Sequence, residues 1–446
     1  MPGRQAGAGC TCLGFSQSLA AKGTTRMVPH LITALTGPIS ELEQRILDAT
    51  PVIERWFRLE WMEHTPPIYC SADVRNAGFK LAPVATDLFP SGWHHLGDDT
   101  LPLAMQAAQA AIEKICPEAR GLLIVPRNGT PGPDTQANLA HLRDIFRMAG
   151  LDVRFGSIDP AVSRPLQLSE DMVFEPAQRS RYRFGLTYFD PCTILLNNPL
   201  SSGVPGILEE LHEQYLLPPL QASSSVRRKS LNYQCYDEVC KRFAKLIGID
   251  PWLLNPLWMS AGAINPHTPD GAEKLRACVD ALFAKVRRKY KEYGIQEKPF
   301  AVIKADLGNS DAHAVVVNNP LDIAAWPGPG DADTPPAEYV VQEGVLTQER
   351  LENGAAEPVI YMIDRYVVGG HYRLHPDCNA GNALNVPGAR TRPLAFAPNA
   401  ESLPRPGAKA GASAPNRFYM YGVVARLALV ASSYELEATD PELAED

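Results

Sequence analysis

Side chains that could bind nucleotide phosphates and a metal ion follow one another between residues 300 and 385. In chain order they are Lys304, Gln342, Glu343, Asp364, Arg373, Asn382 and Asn385. The lysine ends an apolar strand, the Gln-Glu pair stands inside a second strand, and the asparagines form an Asn-x-x-Asn loop. Lysine and arginine neutralise phosphates during phosphoryl transfer, while carboxylate and amide oxygens are suitable ligands of Mg²⁺. The order predicts an ATP and Mg²⁺ site on an antiparallel sheet, with Lys304 and Arg373 in catalytic roles.

Five of these seven residues also have a purely structural explanation. Lys304 can lay its aliphatic stem along apolar surface and keep its amine in water. The Gln-Glu pair can be an ordinary exposed strand end. Asp364 and Arg373 flank a Val-Val-Gly-Gly segment that predicts a hairpin turn, and they can form a cross-strand ion pair of little energetic weight. The order of all the residues, rather than any one of them, favours a nucleotide site.

The overall composition is that of a globular enzyme with more than one domain. The chain has 446 residues, of which 45% are hydrophobic and 21% charged, and this length favours two or three cores. A net charge of −8 gives no reason to bind nucleic acid, and no apolar run reaches the ~20 residues that a membrane-spanning helix needs. Nine scattered cysteines without zinc or disulfide spacing favour a reduced, cytoplasmic setting. The sequence leaves the oligomeric state open.

Composition divides the chain into four segments. Residues 1–26 are basic and lack acidic residues, as in an over-extended start or a targeting segment, and we expect them to be disordered. In residues 27–219 helices alternate with buried strands, which predicts a parallel α/β domain that binds substrate beyond its strand ends. A change to basic and then helical sequence after Pro219 predicts a nucleotide-binding domain over residues 220–440. Residues 441–446 form an acidic tail.

Four further basic residues are candidates for binding the substrate: Arg75, Lys80, Arg227 and Lys229. The first two occur in the segment Asp-Val-Arg-Asn-Ala-Gly-Phe-Lys, and such side chains can hold a substrate carboxylate. A structural ion pair with Asp73 or Asp87 is the alternative. The last two precede a helix, where the helix dipole disfavours cations. Because cations are unfavourable at a helix start, we expect these two residues to bind a phosphate or a carboxylate rather than to form a solvated charge cluster.

Eight segments spread over the chain carry a family pattern: MVPHLITALTGPI, DVRNAGFKLAPV, LLNNPLSSGVPGIL, LPPLQASSSVRRKS, KLIGIDPWLLNP, VVQEGV, EPVIYMIDRYVVGGHYR and LNVPG. Together they resemble the glutamate–cysteine ligase family first recognised in acidophilic sulfur bacteria, which is similar to glutathione-synthetase-like ATP-grasp proteins. The resemblance implies an ATP-grasp-like α+β domain after the parallel domain. It also implies ATP- and Mg²⁺-dependent joining of L-glutamate to L-cysteine through an acyl phosphate. The residues implied at the site are Lys304, Gln342, Glu343 and Val345 for the nucleotide, Arg373 for the phosphates and Asn385 for the metal.

The binding loops depart from that family pattern. Where the family has the loop Asp-Ala-Gly-Thr-Tyr-Gly-Met-Gly, only Gly308 is kept as a candidate phosphate-binding glycine, and Asp311 adds a negative charge. Asn382 stands where the family's metal loop has a glutamate. The family motif Asp-Thr-Asn-Leu-Phe has become Ala-Thr-Asp-Leu-Phe at residues 85–89. The sequence is therefore compatible with a working ligase or with an impaired relative that binds nucleotide or amino acid without ligase activity.

Overall fold

A computed structural model describes residues 38–308, 314–326, 330–351, 354–375, 389–394 and 417–443 of the chain. The helices in these ranges are α1 (Pro38–Asp48), α2 (Thr50–Glu63), α3 (Leu101–Ile115), α4 (Pro133–Met148), α5 (Lys229–Ile247), α6 (Pro269–Glu292) and α7 (Arg417–Ala438). The strands are β1 (Tyr69–Asn76), β2 (Leu81–Asp87), β3 (Gly121–Pro126), β4 (Asp152–Ser157), β5 (Leu166–Ser169), β6 (Met172–Pro176), β7 (Gln178–Ser180), β8 (Arg183–Gly185), β9 (Thr193–Asn197), β10 (Tyr215–Leu217), β11 (Trp258–Ile264), β12 (Ala301–Ala305), β13 (Val315–Val317), β14 (Ala337–Glu343), β15 (Arg350–Leu351), β16 (Gly354–Ile363), β17 (Tyr366–His375) and β18 (Arg390–Pro393). None of the described helices is long and apolar enough to cross a membrane.

A largely parallel sheet forms the first layer of the molecule. Its strand order is β10-β9-β3-β4-β6-β5, and only the edge pair β5 and β6 is antiparallel. The central strands β3 and β9 are buried along their whole length, as expected of parallel strands covered on both faces. Apolar side chains of α3 and α4 pack against this sheet. These findings confirm the parallel α/β sheet that the sequence predicts within residues 27–219.

Two antiparallel sheets complete the core. One has the order β18-β17-β16-β1-β2, with β15 paired to β16, and the other has the order β11-β14-β12-β13. Strands β1 and β2 precede the domain boundary predicted at Pro219, whereas β16 to β18 follow it. The boundary therefore does not separate the sheets, because Asp73 of β1 pairs with Val359 of β16. A hairpin from the first half of the chain completes a sheet of the second half.

The hairpin between β16 and β17 turns at Asp364 and not at the predicted Val-Val-Gly-Gly segment. Asp364 has a φ of 48°, a left-handed conformation that aspartate tolerates better than most residues. Gly369 and Gly370 lie inside β17 instead. A Cβ atom on Gly370 would stand 2.7 Å from the carbonyl oxygen of Val359, so this glycine permits a close approach of two strands.

The helix α7 closes the core near the end of the chain. It packs against α5, β1 and β2. Its side chains from Tyr421 to Ala431 are buried apart from Arg426, and apolar residues occupy nearly its whole circumference, as expected of a helix surrounded by protein. The α7 helix, near the end of the chain, thus packs against the first hairpin, β1–β2.

Candidate functional site

A cleft is lined by β1, β2, β16 and β17 of one antiparallel sheet and by β12 and β14 of the other. It consists of two adjoining cavities that share Asp73, Val84, Ala85, Lys304 and Arg373 in their walls. The larger cavity has a volume of about 1500 Å³ when the solvent at its mouth is included. Charged side chains of both signs line the cleft, which therefore suits a ligand that carries phosphate groups and a metal ion.

Lys304 is a buried residue of the cleft wall and not a lysine that reaches into solvent. Its Nζ donates to the carbonyl oxygen of Val84 at 3.0 Å and to Oε1 of Gln342 at 3.1 Å. The pairing of β12 with β14 explains the second contact, because Val302 stands opposite Gln342 and Lys304 points to the same face two residues later. An ammonium group has three donors. The third donor of Lys304 can serve a ligand in the cleft.

Arg373 belongs to a chain of four alternating charges. Its Nη1 donates to Oδ2 of Asp73 at 3.0 Å and to Oε2 of Glu357 at 3.1 Å. Nε of Arg75 donates to Oε1 of the same Glu357 at 2.7 Å. The ion pair with Asp73 raises the pKa of Arg373, so that the guanidinium stays charged at the cleft. The two carboxylates hold both arginines in fixed orientations.

Lys80, a predicted substrate ligand, lies beneath the cleft in a buried ion pair. Its Nζ donates to Oε2 of Glu343 at 2.7 Å, and each side chain exposes only 1% of its surface. The Glu343 carboxylate also accepts the ring N–H of Trp252 and the backbone N–H of Leu257. Glu343 lines the smaller cavity, but its carboxylate accepts hydrogen bonds from these buried protein groups. Gln342 and Val345 line the same cavity.

Arg227 and Lys229 line the larger cavity and are held there by neighbouring groups. Arg227 donates to both carboxylate oxygens of Glu435 and to the carbonyl oxygen of Thr86, each at 2.8 Å. Nζ of Lys229 donates to the carbonyl oxygen of Gly308 at 2.7 Å. Gly308 has a φ of 88°, a conformation that favours glycine. The predicted basic cluster and the first residue of the predicted phosphate loop therefore meet at this cavity.

Of the three residues predicted to bind metal, Asp364 is the one that lies in the described part of the chain. Asp364 stands at the hairpin turn, 3.9 Å from Nζ of Lys114. It lies seven residues beyond Glu357, or about 23 Å along a strand, and it lines neither cavity. Asp364, a predicted metal ligand, thus lies away from this cleft. Asn382 and Asn385 lie outside the described residues, as does the loop 309–313.

Two carboxylates at the cleft, Asp73 and Asp87, were not predicted as ligands. In the β1–β2 hairpin Ser71 stands opposite Asp87 and Asp73 stands opposite Ala85. The two aspartates are therefore diagonal neighbours on one face of the sheet, and the Cα atoms of such neighbours are about 7 Å apart. Both line the larger cavity. The sequence contained a signal, because two aspartates flank a strand-turn-strand segment there. From sequence alone these aspartates fit equally well as ion-pair partners of the nearby Arg75 and Lys80.

The described residues contain no group of three His, Cys, Asp or Glu side chains that could hold a metal ion alone. This finding does not argue against Mg²⁺, because that ion is commonly held by one or two protein carboxylates together with phosphate oxygens and water. The pair Asp73 and Asp87 has the donor chemistry and number that this mode requires.

The sequence matches the profile of the glutamate-cysteine ligase family over residues 43–436, which is most of the chain. The chain belongs to the glutamate–cysteine ligase family. This finding confirms the resemblance drawn from the sequence motifs and identifies the chain as an ATP-dependent carboxylate–amine ligase of glutathione biosynthesis. The cleft is therefore the candidate active site of this ligase.

Solved structures resemble the chain to very different degrees. One is a candidate gamma-glutamylcysteine synthetase from Methylobacillus flagellatus KT, with 47% identity and a TM-score of 0.84 over 93% of this chain and 100% of that chain. A glutathione synthetase-like effector from Globodera pallida has 9% identity and a TM-score of 0.35, over 76% of this chain and 75% of its own. D-alanyl-alanine synthetase A from Vibrio cholerae has 10% identity and a TM-score of 0.31, over 61% of this chain and 74% of its own. No curated protein matches the chain.

Proposed function

We propose that the ligase forms γ-glutamylcysteine in the cleft between its two antiparallel sheets, in an arrangement like that of ATP-grasp enzymes. The observation that carries the proposal is the position of Lys304, which is buried where the two cavities join and shares both walls with Arg373 and Asp73. The smaller cavity, beside Gln342 and Val345 at the end of β14, takes the adenosine part of ATP. The phosphates lie at the junction.

The reaction requires two displacements at this junction. An oxygen of the glutamate γ-carboxylate attacks the γ-phosphorus of ATP, ADP leaves, and an acyl phosphate forms. The amine of cysteine then attacks the acyl carbon, phosphate leaves, and the amine gives up a proton. Both steps move negative charge among phosphate oxygens. Fixed cations stabilise such transition states without having to reorganise, and Lys304 and Arg373 are fixed by the contacts described above.

We assign Mg²⁺ to the pair Asp73 and Asp87. When bound there, the ion neutralises phosphate charge beside Lys304 and Arg373. Asp73 also accepts a hydrogen bond from Arg373, so that this residue couples the metal site to the phosphate-binding arginine. The asparagines Asn382 and Asn385 remain candidates for further contacts.

The amino-acid substrates occupy the larger cavity. Arg227 and Lys229 supply positive charge there, which suits the α-carboxylates of L-glutamate and L-cysteine as well as the acyl phosphate. Arg75 is less suited to this role because it lines the smaller cavity and not the larger one. We place the reaction in the cytoplasm, in keeping with its need for ATP and with the free thiols of the six described cysteines.

The test is ADP release by the purified protein with Mg-ATP and glutamate, with and without cysteine. We expect cysteine-dependent ADP release that Lys304→Met lowers by about 100-fold or more, because a preorganised charge is lost at the transferring phosphate. Lys241→Met, which changes an exposed lysine of α5, is the matched control and should leave the rate unchanged.

The same assay separates the two functions that the sequence allows. If the protein is folded and binds ATP in calorimetry but releases no ADP, the result would favour a relative that binds nucleotide without ligase activity. An equal rate in the Lys304 variant and in the control would show that the chemistry occurs elsewhere.

A further inference from the structure

We propose that Cys116 and Cys192 are a reversible dithiol–disulfide site that reacts with small disulfides such as cystine. Cys116 follows the last residue of α3, and Cys192 directly precedes β9. The two Sγ atoms lie 2.8 Å apart, closer than unbonded sulfur atoms normally pack. Both residues are free thiols in the structure, and only a small further approach is needed to join them.

Access distinguishes this pair from the other described cysteines. Cys116 and Cys192 are partly exposed, whereas Cys70, Cys235, Cys240 and Cys278 are buried. Burial also raises the pKa of each of these four thiols. A buried thiol that stays protonated is a poor nucleophile towards a disulfide. Among the described cysteines, Cys116 and Cys192 are therefore the two thiols that a small oxidant can reach, and their sulfur atoms are in contact.

The exchange balances without any other reactant. The thiolate of Cys192 attacks one sulfur of cystine, a mixed disulfide forms, and one cysteine leaves as its thiolate. The thiolate of Cys116 then attacks Sγ of Cys192 and releases the second cysteine. Two electrons pass from the protein to cystine, and the protons of the two protein thiols end on the released cysteines. The same balance holds if Cys116 attacks first and Cys192 second.

The position of the pair gives the bond a structural consequence. Helix α3 contacts β16 and β17, and its buried alanines belong to one apolar cluster with Leu122 and Leu195 of the parallel sheet and Val359 of β16. A bond from the end of α3 to the start of β9 would close a loop between residues 76 positions apart. Such a bond removes conformational freedom from the unfolded chain and stabilises the folded one. The oxidised protein should therefore unfold at a higher temperature.

The experiment uses the full chain with Cys10, Cys12 and Cys378, which lie outside the described residues, changed to serine. After cystine treatment and alkylation of the remaining thiols, we expect a tryptic peptide that links residues 115–120 to residues 184–227 and disappears on reduction. The melting temperature should rise by about 5 °C and return after reduction. Cys116→Ser and Cys192→Ser are matched variants that should show neither the link nor the rise.

Two results would overturn the proposal. One is recovery of Cys116 and Cys192 as alkylated thiols, or as separate mixed disulfides with cysteine, without a linked peptide. The other is a linked peptide that forms equally in the Cys116→Ser or Cys192→Ser variant, or that persists after reduction, since neither result fits a reversible bond between these two residues. Neither readout depends on ligase activity, so failure here and failure of the proposed function remain distinguishable.

Discussion

Nζ of Lys80 lies 2.7 Å from Oε2 of Glu343, and each of the two side chains exposes only 1% of its surface to solvent. The lysine also lies over the ring of Trp252, 4.3 Å from its centroid. The pair joins the segment before β2 to the end of β14, and thus one sheet of the cleft to the other. A buried ion pair of this kind is costly to break, because the remaining charge has no water to solvate it.

We therefore expect Lys80→Met to lower the free energy of unfolding by about 3–5 kcal/mol, since it leaves the Glu343 carboxylate buried without its cation. The matched control is Lys274→Met. Lys274 forms an ion pair with Asp270 at the same 2.7 Å, but these side chains are 59% and 78% exposed, and such a pair contributes about 0.3 kcal/mol. Equilibrium unfolding in urea measures both. Similar losses in the two variants would contradict the role assigned to burial.

Glu357 should make stability depend on pH. Its burial opposes ionisation, but Arg75 and Arg373 outweigh it and hold the pKa below the ordinary value of 4.5. The unfolded state therefore binds the proton at higher pH than the folded state does. The stability from Glu357 is complete above about pH 4.5 and is lost as the pH falls below it towards the folded-state pKa.

The variant Glu357→Gln tests this sign. The difference in unfolding free energy between the wild type and this variant should be largest near neutral pH and shrink below about pH 4.5. Glu170→Gln, at an exposed position, is the control for general effects of acid. A difference that grows as the pH falls would contradict the prediction.

The metal site can be tested against the position that the sequence suggested. We expect Asp73→Asn and Asp87→Asn to raise the Mg²⁺ concentration for half-maximal activity by about tenfold or more, because an amide is a weaker ligand than a carboxylate for this hard cation. Asp364→Asn should leave that concentration unchanged, since Asp364 stands at the far turn of the hairpin. The opposite ranking, measured by steady-state rates over a Mg²⁺ titration, would return the metal site to Asp364.

Ala85 offers a gain-of-function test. It stands directly opposite Asp73 and lines both cavities, and the family motif has aspartate at this position. Ala85→Asp should lower the Mg²⁺ requirement severalfold by adding a third carboxylate to the pair. Ala85→Asn, of equal size but neutral, should have a smaller effect. An increased requirement in the aspartate variant alone would place the ion away from this face.

Much of the fold could be predicted because local sequence patterns indicate where helices and strands occur. Alternation of helices with fully apolar strands predicted the parallel sheet, and the strand that carries Lys304 was predicted together with the strand that carries Gln342. Local patterns report which segments are strands but not which strands pair. The turn between β16 and β17 was misplaced for a related reason, because Gly369 and Gly370 have the composition of a turn but serve close packing of strands.

The sequence by itself determined the family and the side chains that carry charge to the cleft, among them Lys304 and Arg373, because motifs and residue types are local properties of the chain. Only the tertiary structure decided which of these charges line the cleft. Lys80 and Arg75 are both basic residues of one short segment. Lys80 forms a buried ion pair with Glu343, whereas Arg75 lines the cleft. The exposure of a side chain depends on the strands and helices that cover it, and those come from distant parts of the chain.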